Sequence, residues 1–299
     1  ARTVEAFKAA HAQREFAGGK QLGGTSQTAG SSFSWLKNEI CKIEQQMAEE
    51  SGGKKTVYDI INEEIASAPV GSNGVLFLPH LMGERAPRWN PKAKGSFLGI
   101  TLANTRADLL RAVVEGIALN LNCILKEIRQ EIEVNELIMI GGLAKGDIVC
   151  QIFADVMNAK IIKLKHMDEV ASMGTAVIGG IAMGIFENER AVKKFHEVEA
   201  ISEPNPEAHE VYKKIIPLFD KAYYCQVDLF EDMAAEQKAR TTYDNILRVV
   251  RDPEVCDPIR YLREREIVHF QRFGEALRIL QDHLDSKNFY AFNPEFDKK

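Results

Sequence analysis

The sequence predicts an α/β domain followed by an antiparallel helical hairpin, and three observations lead there. First, the apolar run Leu137-Ile-Met-Ile140 passes through Gly141-Gly142 and Gly146 into a periodic segment reaching Met157. Strand, glycine turn, helix is the repeating order of α/β units. Second, a glycine-bounded piece over 95–100 precedes a segment with apolar residues at three- and four-residue steps. Leu109, Leu110, Val113, Val114, Ile117, Leu121, Ile124, Leu125 and Ile128 then form the buried face of a helix. Third, two amphipathic helices follow Tyr224, over 228–251 and from about 257 to 286, divided by Asp252-Pro253 and Asp257-Pro258.

At 299 residues and 45% hydrophobic, the chain suffices for one large or two ordinary domains. A net charge of -5 and a pI near 5.9 leave no basic footprint and argue against nucleic acid as the main partner. Cys41, Cys123, Cys150, Cys225 and Cys256 form no CxxC pair. With no signal peptide at the start, they read as reduced thiols of a cytoplasmic protein. The most apolar run, 170–185, is too short and glycine-broken to cross a membrane. The first residue is alanine, from which a missing or processed natural N-terminus is expected.

In chain order, Ala1–Ala17 reads as a short mixed helix of unassigned role, and 18–30 as turn-rich. A helix is expected over Ser31–Glu50, with Phe33, Leu36, Ile40, Ile43 and Met47 inward, and another over Val57–Ala66. Gly74–Leu78 reads as a buried strand. The irregular stretch 83–95 carries Glu84, Arg85, Arg88, Lys92 and Lys94 among prolines. Thr105 and Asp108 are placed to form a capping box at the start of the long helix. A strand at Lys160–Leu164 and a small-residue helix over 170–182, able to approach its neighbours closely, follow. Pro204-Asn-Pro206 reads as a linker before a helix over His209–Tyr224.

The string Gly95-Ser-Phe-Leu-Gly99-Ile100 with Asp108-Leu109 and Ala112-Val113-Val114-Glu115 resembles the C-terminal signature of the FGGY family of carbohydrate kinases. Pro79-His-Leu-Met-Gly83-Glu84-Arg85-Ala-Pro87 through Gly95 is similar to that family's xylulokinase and gluconokinase members. Gly24-Thr-Ser-Gln-Thr-Ala-Gly30 ahead of Trp35-Leu36 extends the resemblance, which spans about 18–224. It implies an actin/Hsp70-like (ribonuclease H-like) ATPase domain over 18–225. The implied reaction moves the γ-phosphoryl group of ATP, with Mg²⁺, to a hydroxyl of a sugar such as xylulose or gluconate. The resemblance assigns Gly141, Gly142, Ala144 and Lys145 to ATP, with glycines needed where a side chain would meet the nucleotide. It places Glu84 and Arg85 on a loop beside the interdomain cleft, as candidates for ordering it. The aspartate that deprotonates the sugar belongs to a first domain that this chain lacks, so the chain alone is expected to be inactive.

The tail differs. Glu236-Gln-Lys238-Ala-Arg240-Thr-Thr-Tyr243 and Leu262-Arg-Glu264-Arg-Glu266-Ile-Val-His269-Phe270 resemble the second half of manganese catalases, particularly the spore-coat type, over about 227–299. A ferritin-like hairpin over 226–299 is implied, with Glu236, Glu266 and His269 as Mn²⁺ ligands or, for Glu266, a neighbouring base. Residue types and spacing agree. Glu266 and His269 are three apart and share a helix face, and Glu236 lies 33 residues before His269 (269 − 236), so a turn near Pro253 levels the two. Such a half-site would be completed by a homodimer through the hairpin. The rival readings are a dimanganese catalase module acting on hydrogen peroxide and a non-catalytic spore-coat or interaction protein.

Overall fold

The computed structural model describes residues 14–16, 19–21 and 23–264. The chain divides into two compact units, Ala1–Gln226 and Val227–Lys299.

The first unit opens with a small antiparallel pair, β1 (Arg14–Phe16) and β2 (Gly19–Gln21). The end of the expected first helix is therefore a strand; residues 1–13 lie outside the described residues. The helix expected over 31–50 is broken. It runs as α1 (Gly30–Trp35), a wide turn over Leu36–Ile40, and α2 (Lys42–Glu50), with Cys41 in a non-helical conformation between them. That break rotates the second half. Cys41 and Glu44 turn inward, and Ile40, Ile43 and Met47 are exposed rather than buried. A buried carboxylate explains the preference. Glu44 is held by Arg106 at 2.6 and 2.7 Å, so turning it outward would forfeit a charge-assisted pair. Burial alone would raise its pKa, but the Arg106 bonds outweigh it and hold the carboxyl below the usual range.

Next come α3 (Val57–Ser67), started by a Thr56–Asp59 capping box, and the antiparallel pair β3 (Leu76–Leu78) and β4 (Ser96–Leu98). α4 (Arg106–Ile128) begins with the expected Thr105–Asp108 capping box. Every residue from Leu110 to Asn120 is buried, so this is the central helix of the unit and not a one-faced surface helix. Strand β3 lies directly on it. A Cβ added to Gly116 would stand 2.1 Å from the Phe77 carbonyl oxygen, so glycine alone permits the approach. Arg111 and Glu115 of this helix form a closed polar cluster with Tyr212 (2.7 to 3.2 Å).

The second layer is a three-stranded sheet, β5 (Glu136–Met139), β6 (Lys160–Leu164) and β7 (Val198–Ser202), with β5 parallel and β7 antiparallel to β6. Between β5 and β6 runs α5 (Asp147–Met157), ended by Asn158 in the left-handed conformation. α5 packs on β6 and β7 and against α4. Ile138, Ile162 and Ile201 stand side by side across the three strands, with Ile138 and Ile201 exposed. α6 (Val170–Ala182) is mostly exposed. Of its glycines, Gly180 makes the close approach, to Phe186, whereas Gly174 and Gly179 face open space. The expectation of a tightly packed small-residue helix holds at that one glycine. Pro204–Pro206 is a helix start and not a linker. Asn205 accepts from Glu207 and Ala208, and Pro206 opens α7 (Pro206–Tyr224).

In the second unit, α8 spans Val227–Val249 and residues 253–264 are helical again. Arg263 pairs with Asp244 at 2.6 Å, which brings the two helical segments into contact. Glu236 lies on α8; Glu266 and His269 lie outside the described residues. Among the described residues, no group of three His, Cys, Asp or Glu side chains is placed to hold a metal, and no helix is long and apolar enough to cross a membrane.

Candidate nucleotide site

Two turns singled out in the sequence come together. α1 packs against the single-turn helix Gly142–Lys145, which brings the helix that the 24–30 turn leads into beside the glycine turn after β5. The second turn is open. Gly141 (φ +88) and Gly142 are exposed, and a Cβ on either would meet nothing within 4 Å. The positive φ belongs to Gly141, so Gly141 is required by the backbone and Gly142 is not. α5 starts at Asp147 without a side-chain cap, leaving its first-turn amides uncapped by side chains beside this turn. Ala144 is fully buried, its amide bonded to the Gly141 carbonyl (3.0 Å), so it supports the turn from beneath. Lys145 is exposed and pairs with Asp168 at 3.0 Å.

Two residues here were not picked out by sequence reasoning. Lys163 stands in the middle of β6, buried, and reaches under the turn to the Lys145 carbonyl (3.4 Å), Asp147 (3.0 Å) and Glu199 (3.0 Å). Burial lowers the pKa of its ammonium, but the Glu199 and Asp147 partners outweigh this and raise it, so it is a fixed charge. The signal was a lysine between Ile162 and Leu164 in a strand whose other interior residues are apolar. Asn62 of α3 lies against the turn from the other side, and a Cβ on Gly146 would stand 2.7 Å from its amide nitrogen. Nothing in the sequence marked Asn62.

Glu84 and Arg85 part company. Arg85 is exposed; Glu84 is 3% exposed and is the hub of a buried network. One carboxylate oxygen accepts from the Gln27 amide (3.0 Å) and the Arg85 amide (2.8 Å). The other accepts from His80 Nδ1 (3.1 Å), Ser26 Oγ (3.4 Å) and Asn120 Nδ2. Burial pushes the carboxyl up, yet the bonds from His80, Gln27 and Arg85 prevail and hold it below its usual value. His80 is fully buried, and desolvation depresses its pKa more than Glu84 raises it. The pair is therefore a neutral imidazole donating through Nδ1 to a carboxylate and not an ion pair. Arg88 anchors the same loop, pairing with Asp220 and stacking on Tyr223 (4.3 Å). Gln151, Asp155 and Asn158 serve the fold. Gln151 and the Asn205 amide both donate to Asp155, tying α7 to α5. The Cys41 and Cys123 thiols are pushed by burial to about 11, away from nucleophilic use.

The profile of the FGGY family of carbohydrate kinases, C-terminal domain, matches residues 12–183. The chain belongs to the FGGY family. A xylulose kinase of Staphylococcus epidermidis is 36% identical over 212 residues, 70% of this chain and 40% of that protein. A gluconokinase of Bacillus licheniformis is 28% identical over 200 residues, 66% of this chain and 38% of that protein. Among solved structures, the ligand-bound xylulose kinase from Lactobacillus acidophilus superposes with a TM-score of 0.61 at 26% identity, over 70% of this chain and 40% of that one. Plasmodium falciparum glycerol kinase, solved with ADP, superposes with a TM-score of 0.53 at 28% identity, over 67% of this chain and 37% of that one. This FGGY chain thus spans about 40% of the length of these curated relatives. The profile of manganese containing catalase matches residues 225–298.

Proposed function

We propose that the first unit supplies the nucleotide wall of an ATP-dependent sugar kinase, holding adenosine and phosphates at Gly141, Gly142 and Lys145 with Ala144 beneath. The observation that carries this reading is the open turn at Gly141 and Gly142, packed on α1 through Gly142–Lys145 and leading into a helix start without a side-chain cap, on a chain of FGGY descent. Backbone amides and the helix dipole at such a start favour phosphate. Mg²⁺ would accompany ATP and neutralise phosphate charge when bound. Arg85, exposed on the 83–90 loop, is the candidate for the sugar side, and xylulose-like ketoses and gluconate are the substrate classes suggested by the relatives' names. With only this wall present, affinity for ADP is expected near the millimolar range, about 4 kcal/mol. Calorimetric titration of the chain with ADP tests this, and heats that never saturate would overturn it. Sugar-dependent ATP turnover is not expected of this chain alone.

A second reading concerns the second unit, favoured by the catalase profile over 225–298. Glu236, Glu266 and His269 are proposed as part of a ferritin-like Mn²⁺ site completed by a second copy, since three protein ligands are too few for two ions at the weak end of the divalent series. Sedimentation equilibrium with and without Mn²⁺ tests it beside His269→Ala. An association constant insensitive to the metal removes the proposal.

A further inference from the structure

The Glu84 carboxylate joins three parts of the chain that the sequence keeps far apart. Its first oxygen bridges the amides of Gln27 and Arg85, so one atom fixes both the 24–30 turn and the backbone at the exposed Arg85. Its second oxygen is fixed by Ser26, by His80 and by Asn120 from the central helix α4. The Ala86 amide donates to the Thr25 carbonyl (3.0 Å), and Thr28 and Ser32 both donate to the Pro79 carbonyl, so loop and turn are sewn together on either side. Ser32 belongs to α1, which packs on Gly142–Lys145. A continuous set of contacts therefore runs from Arg85, through Glu84 and the 24–30 turn, to the proposed nucleotide wall.

We propose that Glu84 is a positioning residue that couples the exposed Arg85 of the 83–90 loop to the Gly142–Lys145 turn, by holding the 24–30 turn and through it α1. This rests on the nucleotide reading for its use in catalysis, though not for its geometry. Replacing the carboxylate should loosen both turns, including the one Glu84 never touches. A carboxylate bridging two backbone amides is also sensitive to length, so shortening it by one methylene should act in the same direction without removing the charge.

The test is amide hydrogen exchange of the full chain as wild type, Glu84→Gln, Glu84→Asp and Tyr212→Phe. The last removes a buried hydroxyl from the separate Arg111–Glu115 cluster and serves as the stability control. Exchange at 24–30 and at 142–146 is expected to rise at least about fivefold in the Glu84 variants, whereas Tyr212→Phe leaves 142–146 within about twofold of wild type; such ratios report local opening. Should Glu84→Gln not fold, Glu84→Asp carries the measurement. Exchange that rises at 83–86 and 24–30 but stays unchanged at 142–146 overturns the coupling. So does an equal rise in Tyr212→Phe. ADP titration of the same proteins separates the two ideas. Wild type that ignores ADP while exchange still travels sinks the nucleotide reading and leaves the coupling. ADP binding with exchange stopping at residue 30 does the reverse.

Discussion

The 24–30 turn and the 141–147 turn are neighbours built on opposite plans. The first is held by side chains: Glu84, Thr28, Ser32 and Asn120 satisfy it, largely out of water. The second is held mainly by its own backbone, with Lys163 from below, and its Gly141 and Gly142 face open space. The contrast teaches which one can receive a ligand. A buried polar network is costly to disturb, because each lost partner leaves a desolvated group behind. An open glycine turn costs the fold little to alter. Substitutions in the first region should therefore cost stability, and substitutions in the second should cost binding.

The contrast breaks most severely at Gly116. Alanine there would drive a methyl into the Phe77 carbonyl beneath the Glu84 network, and neither backbone can retreat from a fully buried helix. A loss of about 3 kcal/mol or more is expected, visible as a lowered urea midpoint. A midpoint within error of wild type would mean that β3 is not clamped on α4.

Acid sharpens the same side. His80 is depressed in the folded state, so the unfolded chain binds the extra proton and stability falls as pH drops below about 6.5. Glu84 is depressed as well, so its contribution is present above its unfolded value near ~4.3 and is lost as pH falls through its lower folded pKa. Both act in one direction. Urea midpoints should be level above about pH 7, decline below it and steepen in the carboxylate range. In His80→Asn, whose amide can replace the Nδ1–H donor, the decline between pH 6.5 and 5 should be smaller. An identical profile would show that His80 titrates normally.

Gly142→Val probes the other side. Nothing in the protein opposes a side chain there, and φ is not left-handed, so unfolding should be nearly unchanged. A nucleotide lying on the turn would meet the branched side chain, and ADP affinity should fall about tenfold, roughly 1.4 kcal/mol. Equal ADP affinity returns Gly142 to a purely structural turn.

Much of this was legible in the residues. The Thr105–Asp108 cap, β6 at Lys160–Leu164 and the glycine turn follow from local chemistry and periodicity, and local rules suffice where an element stabilises itself. The misses all depend on distant partners. The break at Cys41 exists because Glu44 must meet Arg106, 62 residues away. β7 is so exposed that no alternation marks it, and pairing with β6 defines it. Glu84 sits in an irregular charged stretch and is buried because the 24–30 turn, His80 and Asn120 donate to it, a fact no spacing could reveal.

The smallest effect is expected at Lys145, where stability and binding should separate most cleanly. Its pair with Asp168 is exposed on both sides, so Lys145→Ala should move the unfolding free energy by no more than about 0.5 kcal/mol. If the ammonium serves phosphate when nucleotide is present, it must leave Asp168 to do so, and the gain is the difference between two exposed charge pairs. ADP affinity should fall only about twofold to fivefold, and the loss should shrink as salt is raised and screens both pairs. Asp168→Asn then supplies the opposite sign: freeing Lys145 from its partner should raise ADP affinity slightly at low salt. Loss of affinity in both variants would mean that the ion pair itself shapes the turn, and Lys145 would become a support of Gly142 instead of a phosphate contact.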